Sequence, residues 1–446
     1  MLSKFMTFAV GTLLVTNGVP ASGGSENAAA QEVQELLAAA RGVAPAMCTL
    51  AADGVYSWGG RWTAPAEAVQ SDIRSRMRFN RSRRLSVEES RALLAGIASA
   101  DGCERHVSAT LIGRIGDSTI VATLANRLTA GAATERQAAL IALGLLKATG
   151  QLPAITRVLR DDSPAVRANA AWAIGRLEDR SAAPALIAAA KDGDASVRRA
   201  AIVSLGNLHV RDSIETLVRI LRTDQSADVR RVAAWVLGEL KDRTVTPSLI
   251  QALVNDKSEE VREMVAWALA TSNARDAVDA LVNAMRKDES VEVRETCAWA
   301  LAELNARRAI DALGDVVGSD KDPEVRGTAA WAIGQLRPSK APASLTKALR
   351  DVEPDVRLKA AWALSEIGDP DASAAIVEAL KTETHERVQH AEVRALLRVG
   401  EGSEDVFRRL LESKDEETRE MAVRALAGRR GFGPWPWPWP RPRPMP

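Results

Sequence analysis

Val166-Arg167-Ala168-Asn169-Ala170-Ala171-Trp172-Ala173-Ile174-Gly175 is the stretch that decides the fold, because the rest of the chain repeats it in register. Its Val-Arg pair returns as Val197-Arg198, Val229-Arg230, Val261-Arg262, Val293-Arg294, Val325-Arg326 and Val356-Arg357, at steps of 31 or 32 residues. A tryptophan stands five residues after the arginine at Trp172, Trp235, Trp267, Trp299, Trp331 and Trp362. An aspartate stands six residues before it at Asp161, Asp192, Asp224, Asp256, Asp288, Asp320 and Asp351. A period of this length marks a stacked array of small units rather than one globular core. The phase extends to Arg105 and Arg136 upstream and to Gln389 and Arg419 downstream, giving about eleven units from about Ser86 to Gly428.

Each unit reads as two helices around the aspartate-bearing turn, a first such as Pro184 to Ala190 and a second such as Val197 to Leu208. These residues resemble the short form of the HEAT family, named for the phycobilisome-lyase subunits, whose consensus the stretch from Val166 to Gly175 follows closely. The resemblance implies an all-α fold, a right-handed α-solenoid of about eleven HEAT-like helix pairs. It implies that Arg167, Arg198, Arg230, Arg262, Arg294, Arg326 and Arg357 join the turn aspartates in a ladder between repeats. It also implies that the second helices line a concave surface where such proteins commonly bind partners. The residues themselves agree with a structural turn. A carboxylate there suits the exposed N–H groups and dipole at the start of the second helix, and arginine supplies a planar fork of donors.

At about 100° per residue, Val166, Ala170, Ala173, Ile174 and Leu177 gather on one side of the helix, and Ala168, Asn169, Trp172 and Arg176 on the other. The tryptophans are thus expected to face away from the core. Packed helices lie about 8 to 10 Å apart, while stacked rings want centroids about 4.5 to 7 Å apart, so slots are expected between rings. Glu239, Glu303 and Glu366, with Glu263 and Glu295, fall beside the rings. Aromatic faces next to carboxylates suit extended segments carrying Arg, Lys or Pro. The competing expectation is that each ring lies flat over the neighbouring helix as partly buried packing. Gly175, Gly206, Gly238 and Gly334 sit where neighbouring helices would come close.

The 446 residues are 46% hydrophobic and 26% charged, and one continuous solenoid accounts for that length. With 59 basic against 58 acidic residues, the net charge of +1 gives no general pull toward nucleic acid. A basic cluster at Arg74, Arg76, Arg78, Arg81, Arg83 and Arg84 reads as a solvated linker. Residues 1–21 read as a signal peptide: Lys4, an apolar run from Phe5 to Val15, then Val19-Pro20-Ala21. The run is short for a bilayer span, so the mature chain is expected to be exported, periplasmic or extracellular. Residues 22–85 read as an irregular capping segment with the basic linker, holding a helix from Ala28 to Ala40, and Ser86 with Glu89 as a capping box.

The tail, residues 429–446, alternates proline with Trp435, Trp437, Trp439, Arg441 and Arg443, and alternate prolines impose polyproline II. Its composition is similar to that of indolicidin-type peptides, which implies peripheral contact with a membrane. Of three cysteines, Cys297 reads as packing, while Cys48 and Cys103 are a candidate disulfide that would close a long loop at ~4 kcal/mol in the entropy account. No metal-ligand spacing, cofactor motif or nucleophile signature is present, and the four histidines are scattered. The expected function is a non-enzymatic, monomeric exported scaffold binding a protein or extended peptide, not nucleic acid, in a Trp-lined groove. The alternatives are an envelope-associated protein acting through its tail and a tetrapyrrole-handling, lyase-type subunit.

Overall fold

The turn in five successive repeats is built from two linked bonding patterns, while Ser163 and Glu353 at the flanking repeats make no side-chain cap bond. Asp192 Oδ1 accepts the backbone N–H of Asp194 at 2.9 Å, and Asp194 in turn caps the next helix by accepting the N–H of Ser196 at 2.8 Å. The same relay runs through Asp224 to Ser226, Asp256 to Ser258, Asp288 to Ser290 and Asp320 to Asp322. The turn aspartate is therefore not itself the N-cap in these repeats. It fixes the residue two places on, which does the capping.

The computed structural model describes residues 22–42, 84–399, 407–408, 410–412 and 416–427. The expected signal peptide, the basic cluster at 74–83, Cys48 and the Trp-Pro-Arg tail lie outside the described residues. Within the described residues the chain is an all-α solenoid, with no strand. It divides into two compact units.

The first unit holds α1 (Ser22–Ala40), α2 (Val87–Ile97), α3 (Gly102–Ile115), α4 (Val121–Ala130) and α5 (Ala133–Leu145). Helix α1 ends at Ala40 as expected and starts at Ser22, six residues before the expected Ala28. It buries Ala30, Val33, Leu37 and Ala40 along one face against α2 and α3. At its end Arg41 makes a two-pronged bond to Glu104, at 2.8 and 2.9 Å. Helix α2 begins with the capping box of Ser86 and Glu89.

The second unit stacks helix pairs. First helices are α6 (Leu152–Val158), α8 (Ala183–Ala189), α10 (Ile214–Thr223), α12 (Thr246–Asn255), α14 (Val278–Lys287), α16 (Ile310–Ser319), α18 (Ala343–Ala348) and α20 (Ser373–Leu380). Second helices are α7 (Pro164–Leu177), α9 (Ala195–Asn207), α11 (Ala227–Glu239), α13 (Glu259–Thr271), α15 (Val291–Glu303), α17 (Pro323–Leu336), α19 (Pro354–Ile367) and α21 (Glu386–Val399), followed by α22 (Glu416–Leu426). Successive second helices pack closely on one another, whereas successive first helices meet sparsely. The reason lies in side-chain size. Alanines such as Ala170, Ala201, Ala233 and Ala329 are buried on the second helices and let backbones approach.

The second helices α7, α9, α11, α13, α15, α17 and α19 are each followed by a residue of left-handed backbone, eleven places after the ladder arginine. Gly368 has φ +68° there, and Asn273 and Asn305 have φ 54° and 51°. The same conformation is held by Lys147, Glu178, His209, Lys241 and Arg337, residue types that seldom adopt it.

Candidate binding face

Five of the six tryptophans are buried, Trp331 and Trp362 to 2% exposure, and Trp235 is half-buried. The expectation of rings facing solvent with slots between them is corrected. Azimuth about one helix axis does place the rings opposite Ile174-type residues, but Trp235 and Trp362 are covered by the preceding second helix. The glycines make the seat. A Cβ on Gly334 would lie 2.6 Å from Trp362 Cζ3, and one on Gly206 would lie 3.4 Å from Trp235 Cζ3. Gly238 instead admits the backbone of Ala268, whose Cα would be 2.8 Å from a Cβ there, and Gly175 meets Ser204. Trp331 and Trp362 stack, with centroids 6.5 Å apart and planes at 15°. The indole N–H groups of Trp267 and Trp362 are buried without a hydrogen-bond partner among the described residues.

The carboxylates divide by environment. Glu303 is exposed, Glu239 is half-buried, and Glu366 is half-buried and paired with Arg337. Glu263 and Glu295 lie deeper, in the column that directly follows the ladder arginine. Each accepts from a threonine of the next repeat: Thr296 donates to Glu263 at 3.4 Å and Thr328 to Glu295 at 3.0 Å. Burial pushes the Glu263 carboxyl up to about 7, helped by the nearby charges of Glu292 and Glu295. In the following repeat the column holds Gly327, and the Lys359 side chain lies over it, with Cδ 2.9 Å from where a Cβ would be.

The Asp/Arg ladder is continuous through the second unit. Arg167 Nε and Nη2 donate to Asp192 at 2.8 Å each, while its Nη1 donates back to the Asp161 carbonyl at 2.8 Å. The arrangement repeats for Arg198 with Asp224, Arg230 with Asp256, Arg262 with Asp288, Arg294 with Asp320, and Arg326 with Asp351. Arg357 closes the series on Glu383, a partner that the aspartate pattern did not reveal. Burial raises the Asp192 and Asp288 carboxyls, but the arginine forks and backbone N–H groups outweigh it and hold both below the usual range. These charges are paired with one another and with the turn carbonyls.

Cys103 is disulfide-bonded, while Cys48, its expected partner, lies outside the described residues. Cys297 is a free, fully buried thiol whose ionisation burial opposes. Among the described residues, no group of three or more His, Cys, Asp or Glu could hold a metal ion, and no helix is long and apolar enough to cross a membrane.

The repeat sequence matches the profile of HEAT repeats in five overlapping windows: residues 152–238, 214–302, 246–326, 278–352 and 310–397. Together they span more than half of the chain. It belongs to the HEAT-repeat family. Among solved structures, yeast importin-β (Kap95p) superposes with a TM-score of 0.52 at 15% identity, over 77% of this chain and 63% of the other. Kap95p in its RanGDP-binding study gives 0.54 at 16% identity, over 77% and 62%. This chain thus spans under two thirds of the importin-β chain, and the likeness is one of fold. An engineered protein is also similar, at 21% identity and a TM-score of 0.39, over 77% of this chain and 99% of that one. Comparison with curated protein sequences finds no match.

Proposed function

We propose that this HEAT-repeat chain is an exported, non-enzymatic scaffold that holds a protein or an extended basic peptide along its second helices, centred on Glu263. The fold supports it at the coarse level, since HEAT solenoids commonly serve protein interaction and Kap95p is described binding RanGDP. The observation that carries the finer reading is Glu263 itself. This half-buried carboxylate, beside Trp267 one turn on, has a threonine hydroxyl at 3.4 Å and no ion pair among the described residues. An arginine or lysine from a partner would add a second cation to the charge of Arg231 and favour the ionised form of the carboxyl. Export rests on the apolar run before Ala21, and the non-enzymatic reading on the lack of a catalytic signature.

The test uses the full chain and short extended peptides carrying Arg and Pro, with Gln-for-Arg peptides as controls. Binding of the Arg peptides, weakened about tenfold by Glu263→Gln, is expected from the loss of one charge-assisted hydrogen bond. Equal affinity of parent and variant for every peptide would remove the proposed centre. Export is read independently, by fractionation and an N-terminal sequence beginning at Ser22.

A further inference from the structure

Two cavities of the second unit lie between first helices at the ladder edge. A cavity of about 750 Å³ separates α10 from α12, floored by Val218, Leu221, Pro247 and Ala252. A second, of about 380 Å³, lies one repeat earlier beside α8, and Thr223, Asp224 and Gln225 line both. The larger has the volume of an ordinary ligand cleft.

The charge of these grooves is unbalanced. Their walls hold six basic side chains and three carboxylates, a net +3, against +1 for the entire chain. The three carboxylates, Asp192, Asp224 and Asp256, are each taken by a two-pronged ladder arginine. Four cations remain exposed at the rim: Lys191, Arg219, Arg222 and Lys257. None of their side chains has an ion-pair or hydrogen-bond partner among the described residues. A basic residue near a helix C-terminus is ordinarily explained by the helix dipole, worth about 0.3 to 1 kcal/mol. That explanation covers Arg222, in the last turn of α10, but not the joint placement of four cations around an apolar-floored cleft that continues into the next repeat.

We infer that the paired grooves between α8, α10 and α12 dock an acidic, extended protein segment. Adjacent helices lie about 10 Å apart, and an extended chain advances about 3.3 Å per residue. Carboxylates three residues apart would therefore meet successive repeats, one near Lys191 and Arg219 and the next near Arg222 and Lys257. A small apolar side chain between them would rest on Val218 and Leu221. Gln225, Gln251 and Asn255 would serve the segment's backbone amides. The surface is distinct from the Glu263 face and selects the opposite charge.

The experiment titrates the full chain with a fluorescent peptide carrying Glu at every third position and Ala or Val between. Controls are the Gln-for-Glu peptide and a single-stranded oligonucleotide of equal charge. The acidic peptide is expected to bind and the Gln peptide not to. Arg222→Glu with Lys257→Glu should lower affinity at least tenfold, Lys191→Ala with Arg219→Ala should lower it less, and Glu263→Gln should leave it unchanged. All four positions are exposed, so unchanged thermal midpoints and helicity are required of both double variants. Acidic-peptide binding indifferent to both variants would overturn the inference. So would an oligonucleotide that binds as tightly and loses affinity in parallel, which would mean a general polyanion surface instead.

Discussion

Lys241 holds a backbone conformation, φ 52°, that costs an L-residue with a Cβ about 1 to 2 kcal/mol. Glycine takes the equivalent place at Gly368 without that cost. Lys241→Gly is therefore expected to raise stability by about 0.5 to 1 kcal/mol, read as a higher thermal midpoint. A fall would show that the lysine side chain contributes more than the strain costs. Glu263 carries a pH signature of defined sign. Its native carboxyl is raised to about 7 from an ordinary 4.5, so the native state keeps a proton that the unfolded chain has lost between those values. Its contribution is complete below pH 4.5 and declines as pH rises toward 7. Glu263→Gln should match the parent at pH 4 and melt higher at pH 8; the same difference at both values would contradict the raised carboxyl. Buried Glu392, pushed up to about 8 by burial and then by Glu383, against the opposing charge of Arg357, adds a decline of the same sign.

At the scale of helices, close approach is a matter of single atoms. Gly334→Ala would put a methyl 2.6 Å from the Trp362 ring and 2.8 Å from the Ala363 Cα, where backbone must yield, so a loss of about 1 to 3 kcal/mol is expected. Gly318→Ala, in α16 with nothing within 4 Å, is the internal comparison and should be neutral or gain up to about 1 kcal/mol. Denaturant titrations of the two variants check the contrast, and equal midpoints would argue against the glycine seat. This contrast also marks what was legible beforehand. The helix pairs, the ladder register and the glycine positions could be read because each repeats with the period. Tryptophan burial was only one of two open readings, since a helical wheel gives azimuth about one axis and says nothing of the helix laid over it. The first-helix grooves were hidden for a similar reason: their volume comes from how far α8, α10 and α12 stand apart. The left-handed column carried no glycine signal at Lys147, Glu178, His209, Lys241 or Arg337, so only the backbone angles disclose it.

Across the repeat array, stability is a sum over units and the interfaces joining them. Arg262→Ala leaves Asp288 half-buried without its fork and should cost about 3 kcal/mol locally. Hydrogen exchange should speed up in α12 to α15 and stay unchanged in α18 to α20. Uniform acceleration over the unit would mean that the repeats open together, contrary to the expected one-dimensional behaviour.

The ladder bond spans 26 residues between Arg230 and Asp256, fewer than the 32 from one arginine to the next. A cassette cut from Arg230 to Val261 therefore carries its own donor and its own acceptor. Spliced in again after Val261, the copy's arginine would find the Asp256 carbonyl six residues behind it, as Arg262 does now. Every junction would be remade with no new chemistry. Length in this molecule is thus a quantity that copying or losing one block changes in whole steps, and the reach of any surface running along it changes by the same step.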